Sequence, residues 1–133
     1  MNLDHFGPDT ITFAGSLEAK LAAARAAGFR QIMLSAGDIV GHPDGERAAI
    51  AAVHASGLRV TGLQVLRDFE GLSGHLHASK VGIAKAMLQM CHALGSRVVL
   101  ACSSVSTHAV GDTESLARDL SKLAMLAVPL GIR

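Results

Sequence analysis

Tryptophan and tyrosine are missing from the sequence, and phenylalanine occurs only 4 times. With so few rings, a surface that stacks bases or boxes a ligand with aromatics has little to be built from. Charge is sparse as well: Asp, Glu, Lys and Arg make up 17% of the residues and the formal net charge is +1. A typical domain carries about a quarter charged residues. Neither sign dominates, so composition gives no reason to expect nucleic acid or a membrane surface as a partner. The 2 cysteines, Cys91 and Cys102, are too few for a disulfide framework, which suits a reducing compartment. The opening stretch MNLDHFGPDT has no basic segment followed by an apolar one, so no secretory signal is visible. No apolar run approaches the ~20 residues that cross a bilayer. A cytoplasmic location is the expectation.

What the sequence does hold is a repeated phrase. Gly-x-Arg followed by an apolar run opens GFRQIMLS at Gly28, GLRVTGLQ at Gly57 and GSRVVLAC at Gly95, and it recurs as GIR from Gly131 to Arg133. Between these phrases lie helical patterns. Ser16 is placed to cap a first helix in which Leu17, Leu21 and Ala24 share a face, with Gly28 as its stop. A second helix is expected from near Asp44 to Gly57. A third has Ile83, Met87, Met90, Cys91 and Leu94 on one stripe. A fourth, capped by Asp112 or Thr113, has Leu116, Leu120, Leu123, Ala127 and Leu130 on one stripe, with Pro129 disturbing its last turn.

The runs TITF, QIMLS, RVTGLQV and RVVLAC are short and rich in Val, Ile and Leu. Such runs suit parallel strands buried on both faces. The Gly-x-Arg phrase then marks the point where a helix stops and the chain re-enters the sheet, with glycine as the left-handed cap and arginine solvated. The 133 residues are expected to form one domain of α/β class with four βα units. Two architectures fit: an open doubly wound sheet of flavodoxin type, or the N-terminal half of a (β/α)8 TIM barrel. A whole barrel needs ~250 residues, and the fourth phrase is read as the entrance to a fifth strand. The half-barrel is therefore preferred. A receiver module is disfavoured because FAGS, at the end of the first run, lacks the acidic pair such a module needs.

Ligands of parallel α/β folds sit beyond the C-terminal ends of the strands. Four loops qualify: Ala14–Ser16, Ala36–Gly45, Leu66–His77 and Ser103–Asp112. The third sets Arg67, Asp68, Phe69 and Glu70 directly after an apolar strand. An arginine there can grip a carboxylate or phosphate through two parallel hydrogen bonds. Asp68 or Glu70 is placed to hold its guanidinium and Phe69 to wall a pocket. Ser103, Ser104 and Ser106 offer hydroxyls to a polar ligand or to turn chemistry. His42, Asp44 and Asp38 read as turn and cap residues, and Cys91 and Cys102 as packing. His75 and His77 lie two apart at a loop-to-helix junction, a weak arrangement for sharing a metal. No dinucleotide fingerprint, phosphate loop or nucleophile elbow occurs.

With those loops in view, the chain resembles the sugar phosphate isomerase/epimerase superfamily, the xylose-isomerase-like barrels. TITFAGSLEAKLAAARAAGF is similar to that family's first strand and helix, and VVLACSSVS to its fourth strand and following loop. The most specific stretch is GLRVTGLQVLRDFEG, Gly57 to Gly71. Its Q-x-x-R-D-F-E-G core resembles the bacterial 3-dehydroshikimate dehydratases, some of which are fused to a 4-hydroxyphenylpyruvate-dioxygenase-like domain. The resemblance implies a metal-dependent lyase that dehydrates a hydroxylated cyclic acid to a dihydroxybenzoate, with sugar phosphate isomerisation or epimerisation as the alternative. It implies a divalent ion (Mg, Mn or Co) held by side chains from the later strands, none of which matches a position in this chain. The ion would polarise the substrate's oxygens and stabilise an enolate. Carried over residue by residue, it makes Arg67 the partner of a substrate carboxylate, with Gln64, Asp68 and Phe69 around it; Glu70 and Ser103 join the candidate substrate-binding set from their places in the loops. No residue carries over as the catalytic base. Met33 departs from the family, where many relatives place a glutamate.

A half-barrel has two exposed sheet edges and an uncovered inner face. The chain is therefore expected to pair with a second copy or with a missing C-terminal half. A non-catalytic half-barrel that dimerises is the reading of another class.

Overall fold

The computed structural model describes residues 3–133. Among the described residues, three parallel strands form one sheet in the order β1 (Gln31–Ser35), β2 (Arg59–Arg67), β3 (Val99–Cys102). Helices separate them: α1 (Leu17–Ala26), a one-turn α2 (Ala36–Val40), α3 (Glu46–Ser56), α4 (Gly74–Ala93) and α5 (Thr113–Ala127). Strand order follows chain order, as in a barrel wall built one βα unit at a time. The runs QIMLS, RVTGLQV and RVVLAC form these strands as expected.

TITF does not form a strand. Asp9 makes a single parallel bridge to Met33, and Thr10–Thr12 then coil into a 3-10 turn. The cause is local hydrogen bonding that competes with the ladder. The Asp9 carboxylate accepts the Ile11 N–H at 3.0 Å, and the Thr12 hydroxyl donates to the Asp9 carbonyl at 2.7 Å. The segment still covers the β1 edge. Met33 N–H donates to the Pro8 carbonyl at 2.9 Å, and Ser35 N–H to the buried Thr10 hydroxyl at 2.9 Å.

The other end of the chain behaves as its sequence phrase suggests. Val128–Leu130, with Pro129 inside, tightens to a 3-10 turn, and Gly131 turns the backbone at φ +67°. Arg133 N–H then donates to the Arg97 carbonyl at 2.7 Å, and its carbonyl accepts the Val99 N–H at 3.0 Å. These are the two bonds of a parallel bridge, so the fourth Gly-x-Arg enters the sheet beside β3.

Burial in β2 does not alternate. Val60, Leu63 and Leu66 are all buried, three residues apart. The register with β1 skips Thr61, and the register with β3 skips Val65. Each extra residue resets the side-chain phase, so all three leucine and valine side chains reach the core. That core also takes Leu17, Leu21 and Ala24 of α1, and Met87, Met90, Cys91 and Leu94 around the end of α4, as their spacing predicts. Burial pushes the Cys91 thiol above its ordinary pKa. Two stripe residues do not follow: Ile83 and Leu120 are largely exposed. Leu120 instead lines an apolar groove of about 340 Å³ between α4, β3 and α5, together with Leu88 and Val99.

Caps follow the sequence. Ser16 accepts the Ala19 N–H at 3.3 Å, and Asp112 accepts the Ser115 N–H at 2.8 Å. The Ser115 amide holds Asp112 below its usual carboxylate range. The Gly-x-Arg arginines lie at the N-terminal ends of the strands, away from the loops that could bind a ligand. Arg30 pairs with Asp4, Arg59 donates to Gln31, and Arg97 donates to the Gly131 carbonyl at 3.3 Å.

Candidate functional site

At the C-terminal ends of β2 and β3 two loops are laced together. The first runs from Asp68 to Ser73, between β2 and α4; the second from Ser103 to Asp112, between β3 and α5. Asp68 takes a left-handed backbone, φ +52°. Its carboxylate accepts the Val105 N–H at 2.8 Å and the Ser104 hydroxyl at 3.3 Å. The Val105 amide is the main reason that Asp68 titrates below its usual range. Phe69 is fully buried, its ring 6.0 Å from that of His77. Glu70, 5% exposed, accepts the Ser104 N–H at 2.6 Å.

Gly71 is held on both sides. Its N–H donates to the carboxylate of Asp119, on α5, at 2.9 Å, and its carbonyl accepts the Val110 N–H at 2.7 Å. At φ +80° a side chain is disfavoured, and a Cβ there would sit 2.6 Å from the Val110 carbonyl oxygen. Only glycine lets the two loops approach this closely.

Arg67 closes β2 immediately before this knot and is exposed. Its carbonyl accepts Lys80 Nζ at 2.9 Å. Among the described residues its guanidinium forms no ion pair, so its five N–H donors are available to a ligand. The arrangement differs from the sequence expectation in one respect. Asp68 and Glu70 hold the neighbouring loop rather than the Arg67 guanidinium. Gln64, further back on β2, donates its side-chain amide to the Asp9 carboxylate. Ser103 is exposed at the end of β3, whereas Ser106 accepts the His108 N–H at 3.2 Å.

The segment after β1, made of α2 and the turn that follows it, makes two side-chain contacts with α1, one of them an ion pair. Lys20 Nζ lies 2.7 Å from Asp38, with the two side chains 11% and 17% exposed. His42 Nδ1 accepts the Asp44 N–H at 3.2 Å, the turn role read from sequence, and this leaves Nε2 to donate to Glu18 at 2.6 Å. That hydrogen bond is the main cause of the lowered Glu18 pKa.

Sequence reasoning missed Asp9, Lys20 and Asp119. Asp119 left a signal: it falls on the apolar stripe of α5, between Leu116 and Leu123, where a solvated acid does not belong. Asp9 left one too, since Asp-Thr-Ile-Thr after a proline is turn chemistry. Lys20 left none beyond its position in the first turns of α1.

A divalent metal is implied by the family resemblance. Among the described residues no three His, Cys, Asp or Glu side chains converge on one point. His77 Nε2 instead faces Lys122 Nζ at 3.2 Å, a poor setting for a cation. The described residues do not fit a metal site. Among them no helix is long and apolar enough to cross a membrane.

Parallel strands in chain order, helices between them, and loops gathered at the strands' C-terminal ends define part of a (β/α)8 barrel with a ligand rim. No protein-family model matches the chain. Solved structures do. A xylose isomerase-like TIM barrel/4-hydroxyphenylpyruvate dioxygenase fusion protein superposes with a TM-score of 0.85 at 30% identity, over 96% of this chain and 20% of that one. The IolI protein, solved with a zinc atom, superposes with a TM-score of 0.75 at 18% identity, over 96% of this chain and 50% of that one. The chain thus has the fold of the xylose-isomerase-like barrels and spans about half of such a barrel. In sequence it is similar to the 3-dehydroshikimate dehydratase of Pseudomonas aeruginosa, 34% identical over 125 residues, which are 93% of this chain and 20% of that protein. It spans about one fifth of the length of the curated relatives it matches. Sugar 3-epimerases share the fold at 12% to 23% identity, a level that carries the fold and not the substrate.

Proposed function

We propose that this chain forms the carboxylate-binding side of a 3-dehydroshikimate dehydratase, as a single partial-barrel domain over residues 1–133. The observation that carries this reading is Arg67: an exposed residue with no ion-pair partner among the described residues, at the C-terminal end of a barrel strand, its carbonyl held by Lys80 and the loop after it held by Ser104. A planar fork of N–H donors suits the substrate's carboxylate. The Gln64 carbonyl, oriented by Asp9, accepts a ring hydroxyl, and the Ser103 hydroxyl is a second polar contact. Asp68, Phe69 and Glu70 shape the loop from behind. In the reaction a proton leaves from the carbon beside the ketone, water departs, and the ring aromatises to a dihydroxybenzoate. The residues described here bind and orient the ring; the proton acceptor and the metal lie outside this set. Two unpaired thiols, Cys91 and Cys102, suit a cytoplasmic setting.

Incubation of the intact protein with 3-dehydroshikimate and Mg²⁺ or Mn²⁺, followed by absorbance, tests the reading. Appearance of the dihydroxybenzoate supports it. A protein that instead interconverts ketose 3-epimers, with no aromatic product, contradicts it and favours the epimerase alternative.

Half-exposed Val98 and Leu100 on the sheet, and the apolar groove beside α5, favour a second feature: association with another copy or with further barrel strands. Sedimentation that finds a cooperative monomer of this segment alone contradicts it.

A further inference from the structure

Asp119 is 3% exposed and sits on α5, outside the rim. A carboxylate taken out of water needs strong partners. Its neighbour Arg118, 68% exposed, approaches only to 3.5 Å. The close contact is the Gly71 N–H at 2.9 Å, 48 residues away in sequence. A side chain without an effect on the rim would be cheaper here as leucine, which would continue the apolar stripe of α5.

The consequence lies in what Gly71 is tied to. Its carbonyl is held by Val110 and its neighbour Glu70 by Ser104. Asp68 is held by Ser104 and Val105. All the bonds from Asp68 and Glu70 run between the two loops, so they fix the loops to each other but to nothing else. The Asp119–Gly71 bond is the one among these that ties the pair to a helix. Arg67, the last residue of β2, directly precedes this loop, with its own carbonyl on Lys80 of α4. Resting on the dehydratase reading of this rim, we infer that Asp119 is a positioning residue: by anchoring Gly71 to α5 it sets where the Arg67 guanidinium meets the substrate carboxylate. Preorganised side chains of this kind act by keeping the reactive geometry populated before the ligand arrives.

The test compares Asp119→Ala and Asp119→Asn in the intact protein, with two readouts. Asn keeps a carbonyl acceptor for the Gly71 N–H, and Ala does not. Hydrogen exchange needs no ligand: Ala is expected to speed exchange of the Gly71 and Leu72 amides about tenfold or more, with Asn close to wild type. With 3-dehydroshikimate, Ala is expected to raise KM about tenfold and leave kcat within about threefold, and Asn to restore KM. Unchanged exchange at Gly71 in the Ala variant overturns the inference. So does faster exchange with an unchanged KM, or a loss of kcat that merely follows the folded fraction. If the wild type makes no dihydroxybenzoate, the dehydratase reading fails and the substrate half of the inference fails with it; the anchoring half is then decided by exchange alone.

Discussion

The Glu70 carboxylate accepts the backbone N–H of Ser104 at 2.6 Å, joining two loops that are 34 residues apart in sequence. Glu70 is buried and the bond is part-buried, so water is a poor substitute for either partner. Glu70→Ala leaves the Ser104 N–H without its acceptor and is expected to cost about 1–3 kcal/mol. Glu70→Gln keeps an acceptor of the same reach and is expected to cost less than about 1 kcal/mol. Denaturant unfolding of the two variants measures the difference, and equal losses would show that the bond contributes little.

The Lys20–Asp38 pair is part-buried and incompletely satisfied, because Asp38 Oδ2 is shielded and has no hydrogen-bond partner among the described residues. Breaking a buried pair strands a charge, whereas replacing both partners by apolar groups is often neutral. Lys20→Met is therefore expected to destabilise by about 3 kcal/mol, and Lys20→Met with Asp38→Leu to recover most of it. A double variant as unstable as the single one would mean that the pair is needed for more than mutual compensation.

Acid should loosen the laced loops. The Val105 amide holds Asp68 below its ordinary carboxylate range, which is near 3.9 for a free aspartate. A group whose folded pKa is lowered contributes stability that is present above the unfolded value and lost as pH falls through the folded one. Asp68→Asn is thus expected to flatten the fall of Tm below about pH 4 while leaving its shape near neutrality unchanged. An identical acid limb in wild type and variant would remove Asp68 from the account.

Much of this was legible in the sequence. The Gly-x-Arg phrases marked the strand entrances, and Arg133 pairing beside β3 repeats what Arg30, Arg59 and Arg97 do. The caps at Ser16 and Asp112 and the core stripe through Met87, Cys91 and Leu94 needed only local rules, because each is decided within a few residues. TITF misled because apolar content alone cannot see Asp9 and Thr12 capturing the backbone. The phase shifts of β2 at Thr61 and Val65 were invisible because a bulge is set by both neighbouring strands. The site was legible in part. Arg67 stood out through its neighbours, but the partners of Asp68 and Glu70 lie on the next loop, and no local pattern assigns Ser104 or Val105 to them.

The proposed role of Arg67, at the end of β2 beside a loop fixed from behind, is to receive the carboxylate of the substrate. The most direct measurement is kcat/KM for 3-dehydroshikimate in the intact protein, wild type against Arg67→Ala and Arg67→Lys. Loss of a two-pronged, charge-assisted contact is expected to lower kcat/KM about 100-fold in Ala, with Lys recovering only part of it because an ammonium cannot reproduce the fork. An Arg67→Ala enzyme within about twofold of wild type would contradict the account.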